Sequence, residues 1–128
     1  MTRHYDDLEI RSPDQRAADL ARVLPARIAQ AQRLPGYAES LADIDAAAIT
    51  CPEALTALPV LRKADLGHAQ VRTRPLGGLT ARDPHEFAHV FQSPGPIYEP
   101  GGTSHDWWRI GRFLHACGVG RGDIVQNC

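Results

Sequence analysis

The sequence predicts an α/β chain: a helix-rich first part, residues 1–82, followed by a strand–loop–helix–strand unit over residues 83–128. Three observations predict it. Apolar residues recur at helical spacing through the first part, broken by prolines. Phe87-Ala88-His89-Val90-Phe91-Gln92 reads as an extended run, and a helix with two tryptophans separates it from a second extended run, Asp123 to Asn127. A strand, a loop, a covering helix and another strand form one crossover of a parallel or mixed sheet, and such crossovers put ligands at the loop after the first strand. That loop is Ser93 to Gly102.

Taken in order, Ser12-Pro13-Asp14 starts a helix, with Ser12 as N-cap and Pro13 at the first helical position, where its missing amide costs nothing. Ala17, Leu20, Leu24, Ile28 and Ala31 continue it with helical period, and Pro25 is expected to kink or split it. The arginines at 16, 22, 27 and 33 read as a solvated flank. Leu34-Pro35-Gly36-Tyr37 ends this helix and opens a short one through Leu41; alanine-rich Asp43 to Thr50 predicts another turn or two. Cys51 to Leu58 reads as a brief helix closed by Pro59, followed by Leu61 to Leu66, and Gly67 to Thr80 as loop.

The tryptophan helix is marked at both ends. Thr103 suits an N-cap, Asp106 the third helical position near the positive dipole end, and Gly118 the C-terminal stop. Trp107, Ile110, Gly111, Leu114 and Cys117 form one stripe that needs a sheet to pack on, while Arg109, Arg112 and His115 face away. Cys117 reads as a small core residue. Arg121-Gly122-Asp123 supplies a turn, and Ile124-Val125 begins a strand that meets no closing turn signal by Cys128, so the chain is expected to end inside its fold.

Composition narrows the function classes. A net charge of -1 and a pI near 6.6 give no reason for a nucleic-acid or membrane-surface partner. No apolar segment is long enough for a membrane span and the start is too polar for a signal peptide, which predicts a cytoplasmic protein. Cys51, Cys117 and Cys128 are odd in number and widely spaced, against a disulfide framework or a structural zinc site.

One motif points elsewhere. His85-Glu86-Phe87-Ala88-His89 matches His-Glu-x-x-His, which on a helix presents two imidazoles to zinc with the glutamate as general base. A helix here would meet Pro94-Gly95 within about two turns of His89. Glu99, His105 and Asp106 are the near candidates for a third ligand. The other reading is a single capped turn, Asp83-Pro84-His85-Glu86, leading into a strand in which Phe87, His89 and Phe91 face one way and Ala88 and Val90 the other.

Arg33-Leu34-Pro35-Gly36-Tyr37, then Leu58-Pro59-Val60-Leu61-Arg62-Lys63-Ala64-Asp65-Leu66, then Gly118-Val119-Gly120-Arg121-Gly122-Asp123-Ile124-Val125-Gln126-Asn127 stand in the order and spacing of the N-terminal part of phenylacetate-CoA ligases. Over nearly its whole length the chain resembles that family, part of the adenylate-forming (AMP-dependent synthetase and ligase) superfamily. The resemblance implies activation of a small aryl or acyl carboxylic acid with ATP and Mg2+, then transfer to coenzyme A. It also implies that the adenine-binding segments, the acyl pocket and the lysine-bearing C-terminal domain lie beyond these residues. This chain is therefore expected to be an N-terminal fragment or truncated relative, inactive alone.

In that family a loop rich in Ser, Thr and Gly, ending in Gly-Lys-Pro, holds the ATP phosphates. The resemblance places it at Gln92 to Thr103 and implies phosphate contacts from Ser93, Gly95 and Thr103. The sequence departs from the pattern there: Pro94 and Pro96 carry no amide hydrogen, no lysine is present, and Glu99 adds negative charge. Gly101-Gly102 reads more simply as the entry to a capped helix. Two alternatives accompany the ligase reading: a non-catalytic module that recruits a partner or a second copy through an open sheet edge, and a small zinc hydrolase using His85, Glu86 and His89.

Overall fold

A computed structural model describes residues 3–126. Among these the chain is a mixed helix and strand protein, with α1 (Pro13–Gln32), α2 (Lys63–Arg72), α3 (Gly111–Ala116) and an antiparallel hairpin of β1 (His89–Ser93) and β2 (Ile97–Gly101).

The start of α1 follows from its local chemistry. The Ser12 side chain accepts from the Gln15 amide at 3.2 Å, and the Gln15 side chain accepts from the Ser12 amide at 2.8 Å, a reciprocal cap with Pro13 at the first helical position. Pro25 does not split the helix, which runs through it as one element. A proline φ suits helical backbone, and the turns on either side are long enough to tolerate one absent hydrogen bond. After Arg33 the chain makes successive hydrogen-bonded turns rather than the short helix expected through Leu41. The Gln32 amide group closes them, donating to the Leu41 and Ile44 carbonyls at 2.9 and 2.8 Å. The alanine-rich segment gives a single 3-10 turn, Ala46–Ala48, capped by Asp45 and packed on α1.

A further 3-10 turn, Glu53–Ala57, matches the proline-closed helix expected there. α2 runs farther than its sequence signal, through Gly67 to Arg72, so the first six residues of the expected Gly67–Thr80 loop are helix. Gly67 faces open space, and its only disadvantage in a helix is backbone freedom. Beyond α2 the chain reverses tightly with Leu76, Gly77 and Gly78 all at positive φ. Gly36 sits directly on this reversal: its amide donates to the Gly78 carbonyl at 3.0 Å, and a methyl group there would collide with the Gly77 oxygen.

The second part corrects the crossover prediction. Pro94-Gly95-Pro96 reverses the chain, and the expected loop contains β2, paired antiparallel with β1 from His89↔Gly101 to Ser93↔Ile97. Three loop residues between β-forming flanks make a hairpin, whereas a parallel crossover needs a dozen or more. The tryptophans are not on a helix: Ser104 to Trp108 is turn, and α3 begins only at Gly111, with Ile110 rather than Thr103 in the capping position. Gly118, at φ +85, ends α3 as expected. Asp123 to Gln126 forms no strand, and Asn127 and Cys128 lie outside the described residues.

Very little of this is buried. The apolar core among the described residues is Leu41, Ile49 and Ile97, and the accessible surface is 10072 Å². A folded monomer of 14.0 kDa is expected to expose about 6,700 Å². The stripe predicted to lie on a sheet is uncovered: Ile110 is exposed, and Cys117 is a surface thiol rather than a core residue. α3 is only six residues long, and among the described residues the sheet is the two-stranded hairpin alone.

Candidate functional site

The hairpin and the turn after it carry the chain's densest chemistry. Alternation along β1 puts His89 and Phe91 on one face, their rings 5.8 Å apart. Trp107 and Trp108 both return to that face, with centroids 6.0 and 5.5 Å from Phe91 and 5.2 Å from each other. Adjacent residues of a helix point about 100° apart, so a helix could not bring both indoles to one ring. The backbone leaves the helical region instead, and Asp106 and Arg109 adopt φ +48 and +57. Gly101 makes room: a methyl group there would sit 3.0 Å from the Phe91 ring and 3.1 Å from that of Trp107.

Behind the tryptophan turn lies a cavity of about 340 Å³ lined by Tyr5, Asp6, His105, Trp107, Arg109 and Arg112, among others. Arg112 reaches both carboxylate oxygens of Asp6, at 3.0 and 2.9 Å. That hydrogen bond holds Asp6 below the usual aspartate range and raises Arg112 in turn. Asp106 accepts from the Gly111 amide at 2.9 Å, and the Tyr5 hydroxyl lies 3.4 Å from His105 Nε2. Tyr5 rests on Gly111, where a Cβ would meet its Cζ at 2.6 Å. Asp6 thus ties the N-terminal loop to α3, while Asp106 holds the tryptophan turn against the start of that helix.

The predicted site residues fall into separate groups. Ser93 opens the hairpin turn and its hydroxyl donates to the Ile97 carbonyl at 3.4 Å; Gly95 is at the exposed tip. Thr103 lies past the other end of β2, a strand roughly 13 Å long. The hairpin brings Ser93 and Gly95 together and leaves Thr103 apart. As a phosphate cradle the tip does not fit, because Pro94 and Pro96 offer no amide hydrogen and the nearby Glu99 adds a carboxylate, 3.8 Å from Lys63.

His85 and His89 do not share a helix. Pro84–Glu86 is a 3-10 turn with a capping box from Asp83 and Glu86, as the capped-turn reading expected, and His89 opens β1. Among the described residues, no group of three or more His, Cys, Asp or Glu is placed to hold a metal ion.

A contact that sequence reasoning missed joins the two parts of the chain. The Gln70 amide donates to the Tyr98 carbonyl at 2.7 Å and its oxygen accepts from the Tyr98 amide at 3.0 Å, so one side chain of α2 pairs with β2 as another strand would. Nothing local marks it, since the partners are 28 residues apart.

No protein-family model, curated protein or solved structure matches the chain.

Proposed function

We propose that this chain is the N-terminal portion of an ATP-dependent aryl- or acyl-CoA ligase and is not catalytic by itself. The observation that carries the reading is the uncovered apolar surface. Ile110, Phe113, Ile124 and Val125 are exposed, at 42, 66, 100 and 64 %, along a segment whose sequence resembles the start of a ligase α/β core. Side chains of that kind, in a chain exposing roughly half again the surface of a folded monomer its size, are suited to packing against further strands and helices of a larger domain. ATP, Mg2+ and coenzyme A would be held by the larger enzyme, because the hairpin tip offers neither a lysine nor a run of free amides. The small carboxylic acid would likewise bind outside these residues.

The test follows the reading frame past Cys128 and measures pyrophosphate release from the encoded polypeptide with arylacetates, ATP, Mg2+ and coenzyme A. Release by the longer polypeptide and none by the present chain is the expected result. A longer polypeptide that neither binds ATP nor releases pyrophosphate overturns the proposal. A second reading, a non-catalytic module that recruits a strand, is favoured by the hairpin's unequal edges.

A further inference from the structure

The two outer edges of the hairpin are built differently. On β2 the outward residues are Tyr98 and Pro100. Gln70 occupies both backbone groups of Tyr98, and Pro100 has no amide hydrogen to offer. This edge is closed by means natural sheets use to prevent strand addition. On β1 the residues opposite them are Gln92 and Val90. In an antiparallel ladder, directly opposed residues both point their backbone groups inward or both outward. Gln92 and Val90 therefore turn their N–H and C=O groups to the outside. Among the described residues no hydrogen bond from outside the hairpin reaches this edge. Ala88 to Ser93 contains no proline, lysine or carboxylate to guard it.

We propose that the outer edge of β1 pairs antiparallel with β1 of a second copy, about a two-fold axis through Phe91. β1 spans five residues with Phe91 at its centre, so this register alone pairs every residue of the strand. It sets Val90 against Gln92 of the second copy, with their outward amides and carbonyls bonded reciprocally, and His89 against Ser93. Phe91 meets its own counterpart at the closely spaced, non-hydrogen-bonded position. The result is a four-stranded sheet in which the His89, Phe91, Trp107 and Trp108 surfaces of both copies become continuous. No like charges oppose each other in this register, and a net charge of -1 does little to keep copies apart. Val90, Phe91 and Trp108, on and beside β1, are 56, 37 and 57 % exposed and would lie at or next to the seam. The pairing rests on the hairpin backbone and stands whether or not the chain belongs to a ligase.

Light scattering on the chain should give twice 14.0 kDa. Gln92→Pro should halve that mass, because it removes a donor that faces the second copy and not β2. With Cys51, Cys117 and Cys128 changed to Ser, Phe91→Cys should form an intermolecular disulfide on mild oxidation, since Cα atoms at such a position lie about 4.5 Å apart. Val90→Cys in the same background should not, because it faces Gln92. Far-UV dichroism checks that Gln92→Pro still folds, and if it does not, the cross-link decides. A monomer in the unaltered chain, a larger assembly, a dimer that survives a folded Gln92→Pro, or a dimer that Phe91→Cys fails to link overturns the proposal. None of these readouts involves ATP, so they fail independently of the ligase assignment.

Discussion

The reversal around Gly36 and Gly78 and the aromatic face of the hairpin both join segments distant in sequence, yet they do so by opposite means. At the first, backbone lies on backbone: Gly36 bonds to Gly78, and three successive residues at positive φ shape the surface that receives it. At the second, rings lie on rings, with centroids 5.2 to 6.0 Å apart and Trp108 still 57 % exposed. A backbone contact has one geometry and no slack. Stacked rings adjust and keep a free face. The first contact is therefore complete within the chain, while the second leaves apolar surface that another molecule or domain can cover.

The largest effect is expected from Gly36→Ala. Its methyl group would strike the Gly77 oxygen and lie 3.0 Å from the Gly78 carbonyl carbon, neither of which can rotate away. We expect a loss of about 3 kcal/mol in urea denaturation. A near-neutral result would show the reversal to be as adaptable as the ring cluster. Phe91→Ala removes the ring on which His89, Trp107 and Trp108 converge, and should cost about 2 kcal/mol, below the range for fully buried aromatics because Phe91 is 37 % exposed. Tryptophan fluorescence should shift to the red. Measured in the Gln92→Pro background, that shift separates the intramolecular stack from any intermolecular one.

Gln70→Ala tests the clasp between the two regions. Losing both hydrogen bonds to Tyr98 should cost about 1 kcal/mol in the same denaturation experiment. It also opens part of the β2 edge, so assemblies larger than a dimer are expected by light scattering. Gly67→Ala should act in the other direction, stabilising α2 by about 0.5–1 kcal/mol, because nothing lies within 4 Å of the new methyl group.

The smallest effect is that of pH on the tie between Asp6 and Arg112. The folded state lowers the Asp6 pKa below 3.8, so the tie stabilises the fold above that value and is lost as pH falls through the lowered one. Asp6→Asn should flatten that part of the acid-unfolding curve. An unchanged curve would show that the Asp6–Arg112 ion pair contributes nothing to stability.

Legibility in the sequence tracked the reach of each interaction. The Ser12 cap, the Asp83 capping box and the Gly118 stop each depend on groups a few residues apart and stand in the structure where the residues place them, while the strand expected over residues 87–92 lies at His89–Ser93. The β2 strand was hidden because Pro96 precedes it and Pro100 lies within it and both read as loop, although each occupies a hairpin position that needs no amide. The start of α3 was misplaced because Thr103 and Asp106 satisfy a helix cap on paper. Two indoles drawn to one phenyl ring outweigh that local preference, which is worth about 1 kcal/mol. Ser93 and Gly95 were grouped with Thr103 by resemblance to a ligase phosphate loop; β2 fills that stretch and holds them apart.

Local residue order is enough to say where regular structure can start and stop in this chain, since caps, prolines and alternation act over one or two turns of backbone. The direction of the chain after Gly95, the ring the tryptophans seek and the choice of closed hairpin edge are set by long-range packing. Those choices depend on partners tens of residues away, such as Gln70 for Tyr98, that no local pattern encodes.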